Sequence, residues 1–314
     1  MEIITGTTDF CIEKTTAVAI GKFDGIHIGH RRLLQEILAQ KAKGMLACVF
    51  TFDPSPNVLF GTGNEKELTT RWEKRKVFAQ MGVDVLVEFP LNRQTAAISP
   101  EDFVTEILCE KLCAGMVAAG SDLSFGAGGA GDAALLRKMA KTQELKICII
   151  DKMKRAEKEI SSSLVREYVE AGDMPAANSL LGAPYSITGE VLHGNRIGRT
   201  MGMPTVNILP DENKLMPPCG VYYAGACLDG KFYRAISNIG YRPTVTEERK
   251  QLGVETYLYG YDGEAYGEEI EVQLYEFKRP EQKYDSLQAL KAQLQVDMKE
   301  GELYELPLEI TGNG

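Results

Sequence analysis

The first half of the chain alternates short apolar runs with segments that repeat apolar residues at helical spacing. Apolar runs typical of buried strands occupy residues 17–19, 46–52, 83–89, 116–119 and 147–151. Helical patterns occupy residues 31–42, 71–81 and 100–112. Because strands and helices alternate, the pattern predicts an α/β fold in which helices cover a parallel sheet. Ligands of such open sheets bind beyond the carboxyl ends of the strands.

The pattern changes in the second half of the chain. Residues 160–181 have helical spacing with a break at 171–173. After residue 184, glycines separate short alternating runs, which is typical of an antiparallel β-barrel or sandwich. These runs occupy residues 186–192, 221–228, 232–239, 254–259 and 269–277. We therefore predict two domains, residues 1–182 and 183–314.

A last helical segment, residues 286–299, closes the second domain. It places Leu287, Leu290, Leu294 and Met298 on one stripe. A stripe of this kind predicts packing against the core.

Composition narrows the class of protein. The 314 residues are 44% hydrophobic and 25% charged, which is ordinary for a globular protein. The formal net charge of −9 argues against a nucleic-acid-binding surface, because such surfaces cluster Lys and Arg. Small anionic ligands can still bind locally.

Two further features bear on location. Residues 1–10 lack the pattern of a leader, and no apolar run approaches the ~18 residues of a membrane span, so we expect a cytoplasmic protein that does not enter a membrane. The seven cysteines are scattered and form no C-x-x-C pair, so we expect reduced side chains.

Two of the three histidines, His27 and His30, lie three residues apart between the first apolar run and the first helical segment. A turn from strand to helix presents backbone N–H groups and the positive end of the helix dipole, which favours a phosphate. Imidazoles can donate hydrogen bonds to phosphate oxygens. Alternatively, one histidine caps the helix or satisfies a buried backbone group. Metal ligation is a third possibility, although no further ligand is near in the sequence.

Three other segments of the first half carry candidate chemistry. Residues 120–132 follow a predicted strand and include five glycines among thirteen residues, which suits close approach to a ring or phosphate. Residues 51–56 end another predicted strand, and Asp53 there is either a ligand contact or a turn residue. Residues 160–166 combine a serine cluster with Arg166 at a predicted helix start, where hydroxyls and a guanidinium can hold phosphates.

In the second half, glycines recur at 194, 198 and 202 before Pro204, which predicts a loop or flap over a nucleotide. Thr205 and Asn207 are two apart on an extended segment, so their oxygens point to one side and can share a hard cation such as Mg²⁺.

These motifs, in this order, resemble the family of bacterial bifunctional riboflavin kinase/FMN adenylyltransferases. The resemblance rests on the G-x-F-D-G-x-H-x-G-H stretch at 21–30, I-S-S-S-x-x-R at 160–166, G-x-P-T-x-N at 202–207 and N-x-G-x-R-P-T at 238–244. It implies a Rossmann-like nucleotidyltransferase domain followed by an antiparallel β-barrel kinase domain with a terminal helix.

For the first half, the resemblance implies a site that adenylylates FMN. His27, His30 and Arg166 would act in catalysis. Residues that would bind the phosphates of ATP are Gly21, Phe23, Gly25, Gly29, Ser161, Ser162 and Ser163. Residues that would bind the flavin are Asp122, Phe125 and Gly126.

For the second half, the resemblance implies riboflavin phosphorylation, with Glu255 as the base that accepts a proton from the attacking hydroxyl. Thr205 and Asn207 would hold Mg²⁺, while Asn238 and Arg242 would bind the flavin. Residues that would bind ATP are Gly194, Arg196, Gly198, Thr200 and Gly202.

The implied function uses ATP twice, converting riboflavin to FMN and FMN to FAD with release of pyrophosphate. Four residues depart from common family residues: Ser55, Leu123, Ser124 and Gly129. The alternatives are a kinase with a weak or altered adenylyltransferase half, a non-catalytic flavin-binding regulator, or a nucleotidyltransferase for a non-flavin phosphate. The partners implied are small molecules, and the sequence leaves the oligomeric state open.

Overall fold

The computed structural model describes residues 1–55, 61, 66–155, 157–193, 203–242 and 251–307, with only the backbone of Arg242. The chain divides into two compact units, Met1–Ser162 and Ser163–Gly314. The domain boundary that the sequence places after residue 182 stays a prediction.

Six parallel strands form the sheet of the first unit. They are β1 (Glu2–Thr5), β2 (Thr16–Ile20), β3 (Leu46–Asp53), β4 (Val85–Pro90), β5 (Ala114–Gly120) and β6 (Lys146–Ile150). Their order across the sheet is β1-β4-β3-β2-β5-β6. Every residue of β2 is buried, as expected for a central strand covered on both faces. The predicted α/β class is confirmed.

Helices cover both faces of this sheet. Their bounds are α1 (Ile28–Leu38), α2 (Arg71–Gln80), α3 (Pro100–Asp102), which continues as a π-helical segment (Phe103–Lys111), and α4 (Ala133–Ala140). One face packs against Leu34 and Ile37 of α1 and Phe78 of α2. The other packs against the π-helical segment and Leu136 of α4. The loops after β2 and β5 therefore lead to opposite faces, which opens a crevice between them at the edge of the sheet.

The sequence pattern missed three elements of the first unit. They are β1, α4 and the hairpin of β7 (Lys154–Arg155) and β8 (Lys158–Glu159). Strands of two to four exposed residues lack the apolar run that identifies a buried strand. Helix α4 is only eight residues long and directly follows the glycine-rich loop.

The second unit is built from antiparallel strands. Helices α5 (Ser162–Ala171, whose first residue closes the first unit) and α6 (Met174–Leu181) precede them, with the predicted break between. The strands are β9 (Tyr185–Glu190), β10 (Thr205–Ile208), β11 (Gly220–Leu228), β12 (Lys231–Arg242), β13 (Gln251–Leu258) and β14 (Glu269–Pro280). Their order is β10-β13-β12-β11-β14-β9. Leu192 N–H, just after β9, donates to the Asn207 carbonyl of β10 at 2.8 Å, so the two edges of the sheet meet. The predicted antiparallel barrel class is confirmed.

Helix α7 (Leu287–Leu303) ends the described chain, as predicted, but it packs differently from the prediction. Leu287 is 73% exposed, so placing it in the core was wrong. The buried α7 residues are Asp297 and Gly301. Asp297 accepts a hydrogen bond from Arg279 Nε of β14 at 3.1 Å, so an ion pair holds this helix. An apolar stripe does not reveal such a contact.

A buried carboxylate ties α2 to the parallel sheet. Glu88 of β4 is 4% exposed and accepts hydrogen bonds from Arg71 Nε at 2.9 Å and Arg75 Nε at 2.8 Å. Arg71 also pairs with Asp53 at the end of β3, at 3.0 Å. Burial opposes ionisation of Glu88, but the hydrogen bonds from Arg75 and Arg71 prevail and lower its pKa to about 2.

We expect Glu88→Gln to lower the free energy of unfolding by roughly 3 kcal/mol near neutral pH. Because the folded pKa of about 2 lies below the ordinary value of 4.5, the stabilisation is fully present above pH 4.5 and is lost as the pH falls toward 2. Urea unfolding at pH 7 and pH 3, followed by the fluorescence of Trp72 on α2, measures the difference, which should be smaller at pH 3. Glu13→Gln, at an exposed position, is the control. A difference that is the same at both pH values would contradict the assignment.

Candidate functional site

The turn between β2 and α1 is held in an unusual backbone conformation. Phe23 and Ile26 have φ of 49° and 40°, which side chains other than glycine rarely adopt. Both side chains are buried, at 0% and 2% exposure, so packing holds the turn in place. The Phe23 ring meets Phe78 of α2 edge-on at 5.5 Å and lies 5.2 Å from the ring of His30.

His27 caps helix α1. Its Nδ1 accepts a hydrogen bond from His30 N–H at 3.3 Å, as the capping alternative expected. Because Nδ1 is the acceptor, the proton of the neutral ring is on Nε2. Capping therefore leaves a directed donor on the other side of the ring. The rings of His27 and His30 stack with centroids 3.8 Å apart.

Both imidazoles are neutral at physiological pH. Burial lowers the pKa of His27 to about 4, although the charges of Asp24 and Asp122 oppose this. Burial, with the neighbouring His27 and Lys74, lowers the pKa of His30 well below its usual range. Both rings can donate a hydrogen bond without carrying a net charge.

Both rings line a cavity of about 520 Å³ at the carboxyl edge of the sheet. The cavity lies where the loops after β2 and β5 part to opposite faces, which is the position expected for a ligand. The sequence-predicted residues that line it are Gly21, His27, Gly29, His30, Asp122, Phe125, Gly126, Ser161 and Ser162. The structure thus brings together residues from three separate motifs.

The cavity wall has an aromatic half and a polar half. The ends of β3 and β4 and the nearby segments contribute the aromatic and apolar side chains, Phe52, Phe89, Leu91, Phe103 and Phe125. The loops after β2, β5 and β6 contribute glycines, histidines, serines and charged groups, together with the apolar side chains of Leu123 and Met153. Such a wall suits a ligand with one flat ring system and one polar, anionic part.

The glycine-rich loop is closely packed at its centre. Phe125 and Gly131 exchange two backbone hydrogen bonds, at 3.0 and 2.8 Å. Gly126 has φ of 70°, and an added Cβ there would lie 2.6 Å from the backbone of Pro100. This position therefore requires glycine. The departing residues Leu123, Ser124 and Gly129 also line the cavity and bring no positive charge to it.

Several predicted residues hold the cavity wall in place. Phe23 and Gly25 shape the turn and do not line the cavity. The Ser162 hydroxyl donates to the Asp24 carbonyl at 2.8 Å, so it joins the serine cluster to the histidine turn. Asp53 pairs with Arg71, which favours the structural alternative for this residue.

Ser163 and Arg166 follow on α5 and belong to the second unit. Their roles in phosphate binding stay predictions.

A second group of predicted residues lies in one row across three strands of the barrel. In register, Asn207 of β10 is directly opposite Glu255 of β13, and Glu255 is opposite Asn238 of β12. Directly opposed residues point to the same face with Cβ atoms about 5 Å apart. Thr205 is two residues before Asn207 and shares that face. The row thus gathers a carboxylate, two amides and a hydroxyl.

The amide of Asn207 is oriented by its own strand. Its Nδ2 donates to the Thr205 carbonyl at 3.3 Å. This hydrogen bond fixes the orientation of the amide and therefore the position of Oδ1. The remaining candidates of this site, Gly194, Arg196, Gly198, Thr200 and Gly202, lie outside the described residues, as does the side chain of Arg242.

Sequence reasoning missed several cavity residues. Lys152 follows β6, while Phe89 and Leu91 lie at the end of β4. Their shared signal is position, since each lies at or just beyond the carboxyl end of a predicted strand.

Comparison with known proteins identifies both halves. A family model for FAD synthetase matches residues 11–164, and one for riboflavin kinase matches residues 181–304. The chain belongs to the bifunctional riboflavin kinase/FMN adenylyltransferase family. It is therefore an enzyme with a kinase part and an adenylyltransferase part.

Relatives match along nearly the whole chain. The bifunctional riboflavin kinase/FMN adenylyltransferase of Listeria monocytogenes is 35% identical, covering 96% of each chain. The enzyme of the same name from Escherichia coli is 37% identical, covering 89% of this chain and 90% of that one.

A solved structure is also similar. A crystal structure from Streptococcus pneumoniae, titled as a macrolide-efflux protein, has a TM-score of 0.83 at 27% identity, covering 96% of this chain and 99% of that chain. Within the described part of this chain, no helix has the length and apolarity needed to cross a membrane.

The role of His27 as a helix cap and its role as a hydrogen-bond donor in the cavity can be separated by substitution. Asparagine can cap the helix but has no imidazole, whereas alanine can neither cap the helix nor donate from a ring. We expect both His27→Asn and His27→Ala to slow FAD formation from FMN at least ~10²-fold. Only His27→Ala should also cost about 1 kcal/mol of stability. Thermal unfolding and chromatography of flavins measure both effects. If His27→Asn retains FAD formation, the ring is only a cap.

Proposed function

We propose that the cavity of the first unit is the FMN adenylyltransferase site, with ATP in its polar half and the flavin ring in its aromatic half. The observation that supports this proposal is that one cavity is lined by His27, His30, residues of the Gly120–Asp132 loop and two serines of the serine cluster. A flat isoalloxazine ring fits a wall of phenylalanines, and a triphosphate fits backbone donors at a helix start.

The chemistry at this site is an in-line displacement. A phosphate oxygen of FMN attacks the α-phosphorus of ATP, the bond to the β-phosphate oxygen breaks, and pyrophosphate leaves. His27 donates from Nε2 to the phosphate oxygens, and His30 contributes the second ring. Neutral donors fixed by a cap and by stacking need little reorganisation as charge shifts in the transition state.

Ser161 and Ser162 bind the departing pyrophosphate in this proposal, and the phosphate-binding roles of Ser163 and Arg166 are kept as the family resemblance implies them. The helix start at Ser162 supplies backbone donors, and Ser161 lines the cavity. Arg166 follows one turn later, where a guanidinium matches two phosphate oxygens.

The row on the barrel sheet is the proposed riboflavin kinase site. Glu255 accepts the proton of the riboflavin hydroxyl while that oxygen attacks the γ-phosphorus of a second ATP. Asn238, beside Glu255, binds the flavin, and we assign Arg242 to the same task. The segment 194–202 binds this ATP.

The oxygen donors of Thr205 and Asn207 fit Mg²⁺, which prefers hard neutral and carboxylate oxygens. When bound there, the ion would neutralise charge on the transferring phosphoryl group. The Asn207 amide is held by its own strand, and Glu255 lies directly opposite it.

The bifunctional enzyme and the alternatives named in the sequence analysis would form different products. The purified protein with riboflavin, ATP and Mg²⁺ should yield FMN and then FAD on chromatography. FMN alone would mean a weak adenylyltransferase half, as the residues Ser55, Leu123, Ser124 and Gly129 suggested. ATP binding without any product would support the flavin-binding regulator. A non-flavin nucleotidyltransferase is disfavoured by the riboflavin kinase match over residues 181–304.

We also assign the enzyme to the cytoplasm. All seven cysteines have free thiols, which suits a reducing compartment.

Two substitutions should separate the activities. We expect Glu255→Gln to slow riboflavin phosphorylation at least ~10²-fold while FMN supplied directly is still converted to FAD. His30→Gln should show the reverse pattern. Rates of each step from riboflavin and from FMN measure this, with the exposed Glu264→Gln as a control. Loss of both activities in either variant would contradict two independent sites.

A further inference from the structure

A lysine in the polar half of the cavity has no role in the mechanism described above. Lys152 lies two residues beyond β6, and its Nζ is 3.6 Å from Asp122 Oδ2 and 3.2 Å from Glu159 Oε2. Asp122 and Lys152 both line the cavity. Ser121 N–H donates to the Ile150 carbonyl at 2.9 Å, so the loops that carry the two side chains are tied together.

The charges that line the cavity show why the pair of Lys152 and Asp122 would affect the binding of an anionic substrate. Among the described residues that line it, the cations are Lys22 and Lys152 and the anions are Asp122 and Asp151. His27 and His30 add no charge, because their pKa values are lowered. Fixed charges on the described wall therefore sum to zero, and a polyanionic nucleotide gains no net attraction from them.

Loss of Lys152 would leave the carboxylate of Asp122 uncompensated. The Asp122 side chain is 66% exposed, so its charge faces the water that a nucleotide would replace. The hydrogen bond to Glu159 and the nearby charge of Asp122 raise the pKa of Lys152, so the lysine stays cationic across the working pH range.

The location of the pair indicates which substrate is affected. Lys152 and Asp122 follow β6 and β5, whereas the phenylalanine wall belongs mainly to the side of β3 and β4. The nearest part of the bound substrates is therefore ATP, given the placement of substrates in the proposed function. This assignment differs from the flavin contact that the family resemblance implies for Asp122.

We propose that Lys152 is a positioning residue of the adenylyltransferase site, which holds the Asp122 carboxylate and cancels its charge so that ATP can occupy the polar half. The lysine acts through Asp122, and its contribution depends on that carboxylate. This inference rests on the proposed placement of ATP.

The test is a double-mutant cycle on the full chain. Lys152→Met should raise KM for ATP in FAD formation about fivefold, the effect of one unit charge a few ångströms away in a watery cavity. The KM for FMN and the kcat should change less than about twofold. On an Asp122→Asn background, the same substitution should raise KM for ATP less than about twofold, because the carboxylate of Asp122 no longer repels the nucleotide and Glu159, the other partner of Lys152, does not line the cavity.

Control variants separate the effect of the lysine charge on ATP binding from an effect on folding. Lys154→Met, exposed on β7, should leave KM for ATP unchanged. Lys152→Arg should preserve the wild-type value, and riboflavin phosphorylation by each variant reports an intact second site. If Lys152→Met fails to fold, Lys152→Gln replaces it in the same double-mutant cycle.

Two results would overturn the proposal. The first is an unchanged KM for ATP in Lys152→Met. The second is an equal increase with and without Asp122, which would mean that Lys152 contacts ATP directly. If the unsubstituted protein forms no FAD, the proposed function itself fails and this inference falls with it.

Discussion

The hydrogen bond from His30 N–H to His27 Nδ1 is the constraint on which the first site depends. It starts helix α1, fixes the ring of His27 and leaves Nε2 as the donor. Gly29 is part of the same constraint, since an added Cβ would lie 3.1 Å from Nδ1. The strained Phe23 and Ile26 hold the turn from below through buried side chains. A structural role and a catalytic one therefore coincide in one imidazole.

The two units assemble their sites by different physical means. In the first unit, parallel strands deliver separate motifs to one edge, and loops that lead to opposite faces open the cavity. In the second, the antiparallel register of β10, β13 and β12 aligns Asn207, Glu255 and Asn238. A slip of one residue in either pairing would turn these side chains to opposite faces. The kinase site thus depends on the register of the barrel.

Much of this could be predicted from the sequence, for reasons that differ between elements. The buried strands β2 to β5 are apolar runs, and helix α1 repeats apolar residues at helical spacing. The histidine turn lies between β2 and α1. The packing of α7 could be predicted only in part. Leu290 and Leu294 of the predicted stripe are half-buried, whereas Leu287 is exposed and the Asp297–Arg279 ion pair leaves no apolar signal. The aromatic wall depends on β3 lying beside β4, which no local pattern reveals. Lys152 has no motif at all, and the approach of the loops after β5 and β6, which brings Asp122 close to it, is not visible in the sequence.

The central claim is that His27 is neutral, with its proton on Nε2 and its Nδ1 bonded to the helix. Ring-nitrogen NMR of protein labelled in its histidines tests this directly, because the chain has only three and substitutions assign them. We predict that His27 at pH 7 has an unprotonated Nδ1 and a protonated Nε2, and that it titrates near pH 4. An imidazolium at pH 7, or a proton on Nδ1, would contradict the account.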